Sequence, residues 1–383
     1  MNEMLAICRL GPLVSAALLT MVWTDSFAKD GHRRAEERFT SYRQVNLVSD
    51  QPGLALLQDT NLVNAWGVSF SPTSPFWVSA NGTGKATLYS VTNDASGSPQ
   101  VTKRSLEVSI PGEGNPTGQV FNNTTNFHGD LFIFVSEDGT ISGWRSALGT
   151  SAEVLATRTN AVYKGVTLAS TAGGPVLLAA NFSEGTVDVY DGDLKLVGQL
   201  SDSRAPDGYA PFNVQSLEGL IFVTFAKQDA DKHDDVPGPG HGLIDVLDLH
   251  RQRFHRFVTG SDAGGRLRAI DSPWGVALAP GRFGKHSDVL LVGNFGSGTI
   301  MAFNERGGFE GFLESDSGTP VVIEGLWALT LGNGGSAGVP GTLYFTAGPG
   351  GESHGLLGSL EPVRNHEQHD DDDDDDGDHA QRR

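Results

Sequence analysis

The amino-acid sequence predicts an all-β fold, a six-bladed β-propeller, and three observations support this prediction. First, 50 glycines and 18 prolines among 383 residues separate short apolar runs, and no apolar pattern beyond the N-terminal segment has the 3.6-residue period of a helix. Second, a four-strand unit begins at six places along the chain. Third, the two chain ends each hold part of one unit. These features are typical of sheets arranged radially around a channel.

The repeated unit is clearest in two segments, LAANFSEGTVDVYD (178–191) and LVGNFGSGTIMAFN (291–304). Each is interpreted as a second strand, a tight return and a third strand, with a glycine supplying the positive φ of the return. The first strands of the six units begin near Gly67, Gly118, Gly165, Asn213, Gly275 and Ala328. Their spacings run from 47 to 62 residues, which suits a blade of four strands and its loops.

The last unit lacks one strand, and a strand-like segment stands before the first unit. YRQVNLV, from Tyr42 to Val48, has no blade of its own, while only three strand-like runs follow residue 325. We expect the N-terminal strand to complete the sixth blade, because a closed ring leaves no free sheet edge. The predicted organisation is a signal peptide (1–28), a linker (29–41), the propeller (42–363) and an acidic tail (364–383).

The first 28 residues predict export. Arg9 precedes an apolar run, and Ser26-Phe27-Ala28 offers small residues at a cleavage site. The apolar run has about a dozen residues, fewer than the roughly 20 that span a bilayer. We therefore expect cleavage before Lys29, no membrane span afterwards, and a periplasmic or extracellular location. Cys8 is the only cysteine, so the mature chain would use neither disulfides nor thiol chemistry.

The chain is strongly acidic, with a formal net charge of −19. The tail contributes eight Asp and one Glu against three Arg, and we expect its run of seven consecutive Asp (370–376) to be disordered. The rest of the chain stays acidic without the tail. Because an acidic surface repels phosphate groups and anionic membranes, nucleic acid is excluded as a partner.

Two segments, LVGNFGSGTI and TLYFTAGPGGESHGLLGSL, together with the predicted signal peptide, resemble an uncharacterised family of exported bacterial β-propeller proteins. Some of its members have a C-terminal sorting segment, whereas this chain ends in polar residues. The resemblance runs from about Tyr42 to Val363. More remotely, the chain is similar to six-bladed propellers with NHL repeats and to calcium-dependent lactonases and phosphotriesterases.

In a propeller, the turns that lead into the innermost strands meet at one mouth of the central channel, where ligands usually bind. The residues that we predict at this mouth are Asn64, Trp66, Asn115, Lys164, Asn213, Asp271, Trp274, Glu324 and Trp327. The three tryptophans either stack on a ligand or pack between blades.

A calcium site is one interpretation of the polar residues at the mouth. Ca²⁺ prefers carboxylate and amide oxygens, and the resemblance to the lactonases implies Asn64, Asn115, Asp271 and Glu324 as its ligands. In the alternative interpretation, these side chains cap turns through hydrogen bonds to the backbone.

A long insertion in the fourth blade, KQDADKHDDVPGPGHG (227–242), is a second candidate site. Its possible cation ligands are Asp229, Asp231, His233, Asp234, Asp235 and His241, in which the oxygens favour Ca²⁺ and the imidazoles favour a transition metal. A solvated acidic loop is the alternative. Residues 351–355 match the G-x-S-x-G pattern of serine hydrolases, but that motif requires a strand-to-helix elbow, and here it falls between two strands.

These observations favour a non-catalytic module that binds a protein or a small molecule at the channel mouth. Two alternatives remain open at this stage. One is a calcium-dependent hydrolase of lactones or phosphoesters, and the other is a structural component of the cell surface. The sequence does not identify a cofactor; calcium is the candidate at the mouth, and a transition metal is a further candidate in the blade 4 insertion.

Overall fold

The structure, a computed structural model, describes residues 39–259 and 270–364. The predicted signal peptide and almost all of the predicted linker and tail lie outside these residues. The described ranges contain 25 β-strands in six sheets and four short 3₁₀ helices at Asn81–Thr83, Phe127–Gly129, Ser146–Leu148 and Gly284–His286. None of the described helices is long and apolar enough to cross a membrane.

The strands follow the chain in order, blade by blade. β1 (Phe39–Ser49) and β2 (Leu57–Gln58) come before blade 1, which comprises β3 (Ala65–Ser69), β4 (Phe76–Ala80), β5 (Lys85–Asn93) and β6 (Pro99–Ser109). Blade 2 comprises β7 (Pro116–Phe121), β8 (Phe132–Ser136), β9 (Thr140–Trp144) and β10 (Glu153–Thr157). Blade 3 comprises β11 (Tyr163–Thr171), β12 (Gly174–Asn181), β13 (Thr186–Tyr190) and β14 (Leu196–Leu200).

Blade 4 comprises β15 (Tyr209–Leu217), β16 (Leu220–Lys227), β17 (Gly242–Asp248) and β18 (Arg253–Thr259). Blade 5 comprises β19 (Pro273–Leu278), β20 (Leu290–Asn294), β21 (Ile300–Phe303) and β22 (Phe309–Phe312). Blade 6 contains β23 (Leu326–Leu331), β24 (Leu343–Ala347) and β25 (Leu356–Arg364).

The six sheets form a ring, which confirms the predicted six-bladed propeller. Within the meander of each blade, strands that are consecutive in the chain pair antiparallel. The first strands of the blades, β3, β7, β11, β15, β19 and β23, contact one another in sequence around the channel. Apolar side chains from facing blades are buried between the sheets and form the core.

The N-terminal strand closes the ring. β1 pairs antiparallel with β25 along the edge of blade 6, from Phe39 opposite Arg364 to Ser49 opposite Leu356, and β2 adds a short parallel fifth strand. Tyr42, Leu47 and Val48 are buried, and the Tyr42 hydroxyl donates a hydrogen bond to the Phe283 carbonyl of blade 5 at 2.7 Å. The predicted closure is therefore confirmed.

The glycines at the aligned start positions let the inner strands approach each other closely. A Cβ atom on Gly118 would lie 2.7 Å from the Cα of Gly165, and one on Gly67 would lie 2.4 Å from the Thr117 carbonyl oxygen. Real Cβ atoms do not come so close to backbone atoms. Four of the six aligned positions hold glycine because the neighbouring inner strand leaves no room there for a side chain, whereas Asn213 and Ala328 occupy the other two.

Each blade is an antiparallel meander, so the loop that leads into its first strand and the return between its second and third strands lie at the same end of the sheet. We call this end of the ring the mouth face and the other end the opposite face. The insertion between β16 and β17, the segment 351–355 and the lead-in residues Asn64 and Asp271 all belong to the mouth face.

Candidate functional site

An aromatic layer fills the channel below the mouth. The rings of Trp66 and Trp327 stack with centroids 3.6 Å apart, and Trp274 meets Trp327 edge-on at 6.1 Å. Phe295 stacks on the other side of Trp327 at 3.9 Å. The three tryptophans are at most 4% exposed. They pack against each other, so they form the floor of the mouth and not an exposed stacking platform.

Lys164 lies in this layer because of its sequence position. It immediately precedes the aligned Gly165, where four other blades have Trp66, Phe212, Trp274 and Trp327. Its side chain is 1% exposed, and its ammonium nitrogen lies 5.1 Å from the centre of the Trp66 ring, a cation–π distance. One blade thus places a buried positive charge where four others place aromatic rings.

A continuous polar network covers the layer. We call it the mouth network, and its members are Asn64, Asn81, Glu137, Lys164, Asp234 and Glu352. Loops or strands of five blades supply these side chains. All of them reach the same mouth because they come from lead-in loops, return loops or the start of an inner strand.

The first half of the mouth network joins blades 6, 1 and 2. The Asn64 amide donates to a Glu352 carboxylate oxygen at 2.7 Å and to the Asn81 side-chain oxygen at 3.2 Å. Asn81 in turn donates to Glu137 at 3.1 Å. Trp327 of the aromatic layer donates its indole N–H to the Asn64 side-chain oxygen at 2.9 Å, so the network is fixed to the floor beneath it.

The second half is an ion-pair cluster. Lys164 donates to Glu137 at 2.5 Å and to Asp234 at 2.9 Å. Burial alone would lower the pKa of Lys164, but the two carboxylates outweigh it and raise the pKa above its usual value. Lys164 is therefore held as a cation and does not serve as a neutral base or nucleophile.

The insertion of blade 4 folds back over the mouth. Asp234 anchors it to Lys164, the Gly238 N–H donates to Asp271 at 2.6 Å, and the His241 ring pairs with the Val236 carbonyl at 2.8 Å. The Asp229 carboxylate accepts a hydrogen bond from the His233 N–H within the loop. These hydrogen bonds fix the loop at several points. Its outer part, which includes Asp231, is exposed to solvent, as the interpretation of a solvated acidic loop expects.

The four residues implied as calcium ligands have different partners. Asn64 belongs to the mouth network, Asp271 accepts from Gly238, and the exposed Glu324 accepts from the Gly350 N–H at 3.0 Å. The side-chain oxygen of Asn115 is buried without a hydrogen-bond partner among the described residues. Asp271 and Glu324 thus each accept a hydrogen bond from a backbone N–H group of a different loop.

Three other side chains at the mouth lie close enough together to coordinate a single cation. Ligand atoms of Glu137, His233 and Asp234 lie within 4.8 Å of one another. The Lys164 ammonium, however, already bridges the two carboxylates. It supplies the positive charge that a metal ion would otherwise supply at this position.

Asn213, which we expected at the mouth, lies inside the channel. It occupies the aligned glycine position of blade 4, is 3% exposed, and donates to the Trp274 carbonyl of blade 5 at 2.9 Å. Three residues of strand separate its position from that of Asn64 in the alignment, which corresponds to about 10 Å of depth. Asn213 therefore links two inner strands and does not reach the mouth network.

Asn81, Glu137 and Glu352 are the site residues that sequence reasoning missed. All three lie in returns between second and third strands. Glu352 has a φ of +68°, an unusual value for a residue with a side chain. Burial raises the pKa of Glu352, and the hydrogen bond from Asn64 only partly opposes this effect. In an antiparallel meander, the returns between second and third strands lie at the same end as the lead-in loops. This topological rule could have placed the three residues at the mouth from the sequence.

The G-x-S-x-G segment lies in the strand-to-strand return between β24 and β25. The Ser353 hydroxyl donates to the Gly350 carbonyl at 2.6 Å. The neighbouring His354 pairs with Asp50 at 2.8 Å, and Asp50 also accepts from the Gly355 N–H at 2.9 Å. These bonds join the loop after β1 to blade 6, and the fold supplies no nucleophile elbow for Ser353.

Burial raises the pKa of Asp235 to about 6, which predicts a pH-dependent stability. The folded protein then holds this proton more tightly than the unfolded chain, so stability falls as the pH rises from about 4 to about 6 and levels off above. We expect Asp235→Asn to remove on the order of 1–2 kcal/mol of this fall, after a discount for partial exposure.

Urea unfolding at several pH values measures this slope. Asp231→Asn, on the exposed part of the same loop, is the matched control and should leave the slope unchanged. Equal slopes for the wild type and Asp235→Asn would contradict a raised pKa at this position.

Comparisons with known proteins leave the activity open. No protein-family model matches the chain. One uncharacterised protein of Acanthamoeba polyphaga mimivirus is 27% identical over 356 residues, which cover 86% of this chain and 82% of the viral protein. A second from the same virus is 27% identical over 350 residues, covering 86% and 87%. The resemblance to exported bacterial propellers therefore stays a prediction.

Solved structures with a partly similar chain path include a lyase and a WD40 β-propeller domain. Virginiamycin B lyase from Staphylococcus aureus has a TM-score of 0.47 and 11% identity, covering 84% of this chain and 99% of the lyase. The WD40 propeller domain of Doa1 has a TM-score of 0.44 and 13% identity, covering 84% and 97%. Likeness at this level carries no argument about what this chain binds or catalyses.

Proposed function

We propose that this protein is an exported, non-catalytic binding module that engages a positively charged ligand or the basic surface of a protein partner at its channel mouth. One observation carries the proposal: five blades place side chains in a single hydrogen-bonded network above a buried aromatic floor. Such convergence of polar groups from separate elements is typical of a recognition site on a propeller.

The charge of the mouth face supports a basic ligand. The six returns between second and third strands contain eight acidic residues and a single lysine, Lys232. The acidic residues are Glu137, Asp138, Glu184, Asp229, Asp231, Asp234, Asp235 and Glu352. Lys164 and Arg158, which pairs with Glu184, offset only two of these charges. A surface of one sign speeds the approach of oppositely charged partners and orients them.

The polar groups that could act in catalysis already have hydrogen-bond or ion-pair partners, which supports binding over catalysis. Lys164 is paired on two sides, and Ser353 donates to a backbone carbonyl. The carboxylates Asp271 and Glu324 accept from backbone N–H groups. A catalytic group needs a partner that activates it and free access to a substrate. The calcium-dependent hydrolase of the sequence analysis lacks a shared ligand set among these residues.

A charge-neutralising variant tests the proposal. We expect a lysine-rich peptide to bind the mature protein at low ionic strength. Glu113→Gln, Asp231→Asn and Glu324→Gln together remove three exposed charges of the mouth face and should weaken binding about tenfold, since each exposed charge contributes about 0.5 kcal/mol. Titration calorimetry at two salt concentrations measures the change.

The matched control is Asp193→Asn, Glu218→Gln and Glu305→Gln, in loops of the opposite face. It removes the same number and kinds of charge and should leave the affinity unchanged. Equal losses in both triple variants would mean that the peptide binds the acidic surface at large, and the mouth proposal would fail. A Ca²⁺-dependent rise in melting temperature that is lost in Glu324→Ala would favour the hydrolase instead.

A further inference from the structure

A second space lies in the channel below the aromatic layer. It has a volume of about 310 Å³ and is lined by residues of all six inner strands, most of them in the later halves of those strands. We call it the channel cavity. No member of the mouth network lines it, and Trp274 of the aromatic layer borders it together with Ala328, which packs in the same apolar cluster. The channel cavity is thus chemically separate from the mouth.

The lining of the channel cavity contains no charged side chain. Its polar side chains are the amides of Gln119, Asn213 and Gln215 and the hydroxyls of Ser69, Thr167, Ser216 and Thr330. Valine and leucine side chains and the Trp274 indole supply apolar surface between them. Each inner strand has a sheet neighbour on one side only, so peptide N–H and C=O groups of the free edge also face the channel.

This lining selects a class of ligand. A charged molecule would lose its hydration without meeting an opposite charge. A hydrocarbon would leave amide and peptide groups without hydrogen bonds, which is also costly. A neutral molecule that has hydroxyl groups at its rim and C–H groups on its faces satisfies both kinds of surface. The volume lies at the lower end of the range for small-molecule sites, roughly 300–1,000 Å³, which suits a single ring.

Gln215 is the amide that is available to such a ligand. Gln119 already donates to the Gly67 carbonyl and to the Ser79 hydroxyl, both at 3.0 Å, and Asn213 donates to Trp274. Gln215 is half-buried on β15, and among the described residues its side chain has no hydrogen-bond partner. We propose that the channel cavity binds a neutral polyhydroxylated molecule the size of one sugar ring, with Gln215 as a hydrogen-bonding residue.

The experiment uses four probes of one size. Glucose and myo-inositol are neutral, glucosamine is cationic and glucuronate is anionic. We expect the neutral probes to bind the mature full-length protein and to shift the NMR signal of the Trp274 indole N–H. Both charged probes should bind at least about tenfold weaker. Gln215→Leu should weaken the neutral probes about tenfold through the loss of one or two hydrogen bonds.

Gln100→Leu, on the exposed outer strand of blade 1, is the matched control and should bind like the wild type. The triple variant of the mouth face should also bind the neutral probes normally, so this proposal can stand or fall independently of the mouth proposal. The proposal is overturned if no neutral probe moves the Trp274 signal, if glucosamine or glucuronate binds as tightly as glucose, or if Gln215→Leu behaves like Gln100→Leu. The comparison of neutral and charged probes uses the wild-type protein alone. It therefore tests the proposal even if Gln215→Leu does not fold.

Discussion

A chain that starts at residue 51 is expected to remain unclosed and to aggregate, whereas a chain that starts at residue 39 should fold as a stable monomer. The shorter chain lacks β1 and with it the ladder to β25. It also loses the buried side chains of Tyr42, Leu47 and Val48. Burial of three such side chains contributes about 5–8 kcal/mol, a large part of the 5–15 kcal/mol by which domains are stable.

The loss would be more than thermodynamic, because β25 would become an exposed edge strand. Unpaired edges of this kind recruit strands from other molecules. A synthetic peptide of residues 39–49 should therefore restore a soluble monomer by pairing with β25. Size-exclusion chromatography with light scattering distinguishes the species. A chain from residue 51 that is monomeric and as stable as the longer one would show that β1 does not hold the ring together.

The architecture could be predicted because the sequence repeats the same four-strand unit along the chain. Six blades of the same kind present the same short strands and returns, and segments such as 178–191 and 291–304 can be aligned by eye. Closure could be inferred because the last unit lacks one strand and the first strand has no blade of its own. Pairing the two leaves no free sheet edge in the ring. The aligned glycines also reflect the close approach of the inner strands. This reason for the glycines could be recognised only from the coordinates.

The site was predicted only in part, for a reason of topology. Sequence reasoning considered the turns that lead into the inner strands, and these supplied Asn64 and Lys164. Among the returns between second and third strands it singled out the blade 4 insertion, which supplies Asp234, but it gave no role to the side chains of Asn81, Glu137 and Glu352 in the other returns. Both sets of loops end at the same face in an antiparallel meander. An acid in a return loop has no distinctive sequence context, so only the fold reveals its role.

Depth within the channel was the other source of error. Trp66, Trp274 and Trp327 come one residue before the aligned position, and Asn213 occupies it. A shift of two or three residues along a strand moves a side chain from the mouth into the wall or the floor. The alignment gave the order of residues, but the packing of six strands determined which of them reach the solvent.

Lys164→Met is expected to destabilise the protein by about 3–5 kcal/mol, the usual effect of removing one partner from a buried ion pair. The methionine itself suits its surroundings, since four other blades have aromatic residues at this position. The effect arises from Glu137, whose side chain is 11% exposed and would lose its ion-pair partner. Asp234, on the exposed side of the mouth, has water as an alternative partner.

A second substitution separates this cause from a packing defect. Adding Glu137→Gln to Lys164→Met removes the stranded charge, and we expect it to restore about 1–3 kcal/mol, because contacting residues are coupled by amounts of this size. Lys285→Met is the control, since its pair with Glu314 is about one-third exposed and surface pairs contribute at most about 1 kcal/mol. Urea unfolding provides the three free energies.

The pattern of the three results decides between two accounts of the mouth. If Lys164→Met costs much more than Lys285→Met and Glu137→Gln rescues it, the ammonium is the internal counter-ion that keeps the carboxylates together. If Lys164→Met costs under about 1 kcal/mol, the carboxylates have another source of positive charge. In that case a gain of stability from added Ca²⁺ in Lys164→Met, absent in the wild type, would identify the position that Lys164 occupies as a site that a metal ion can fill.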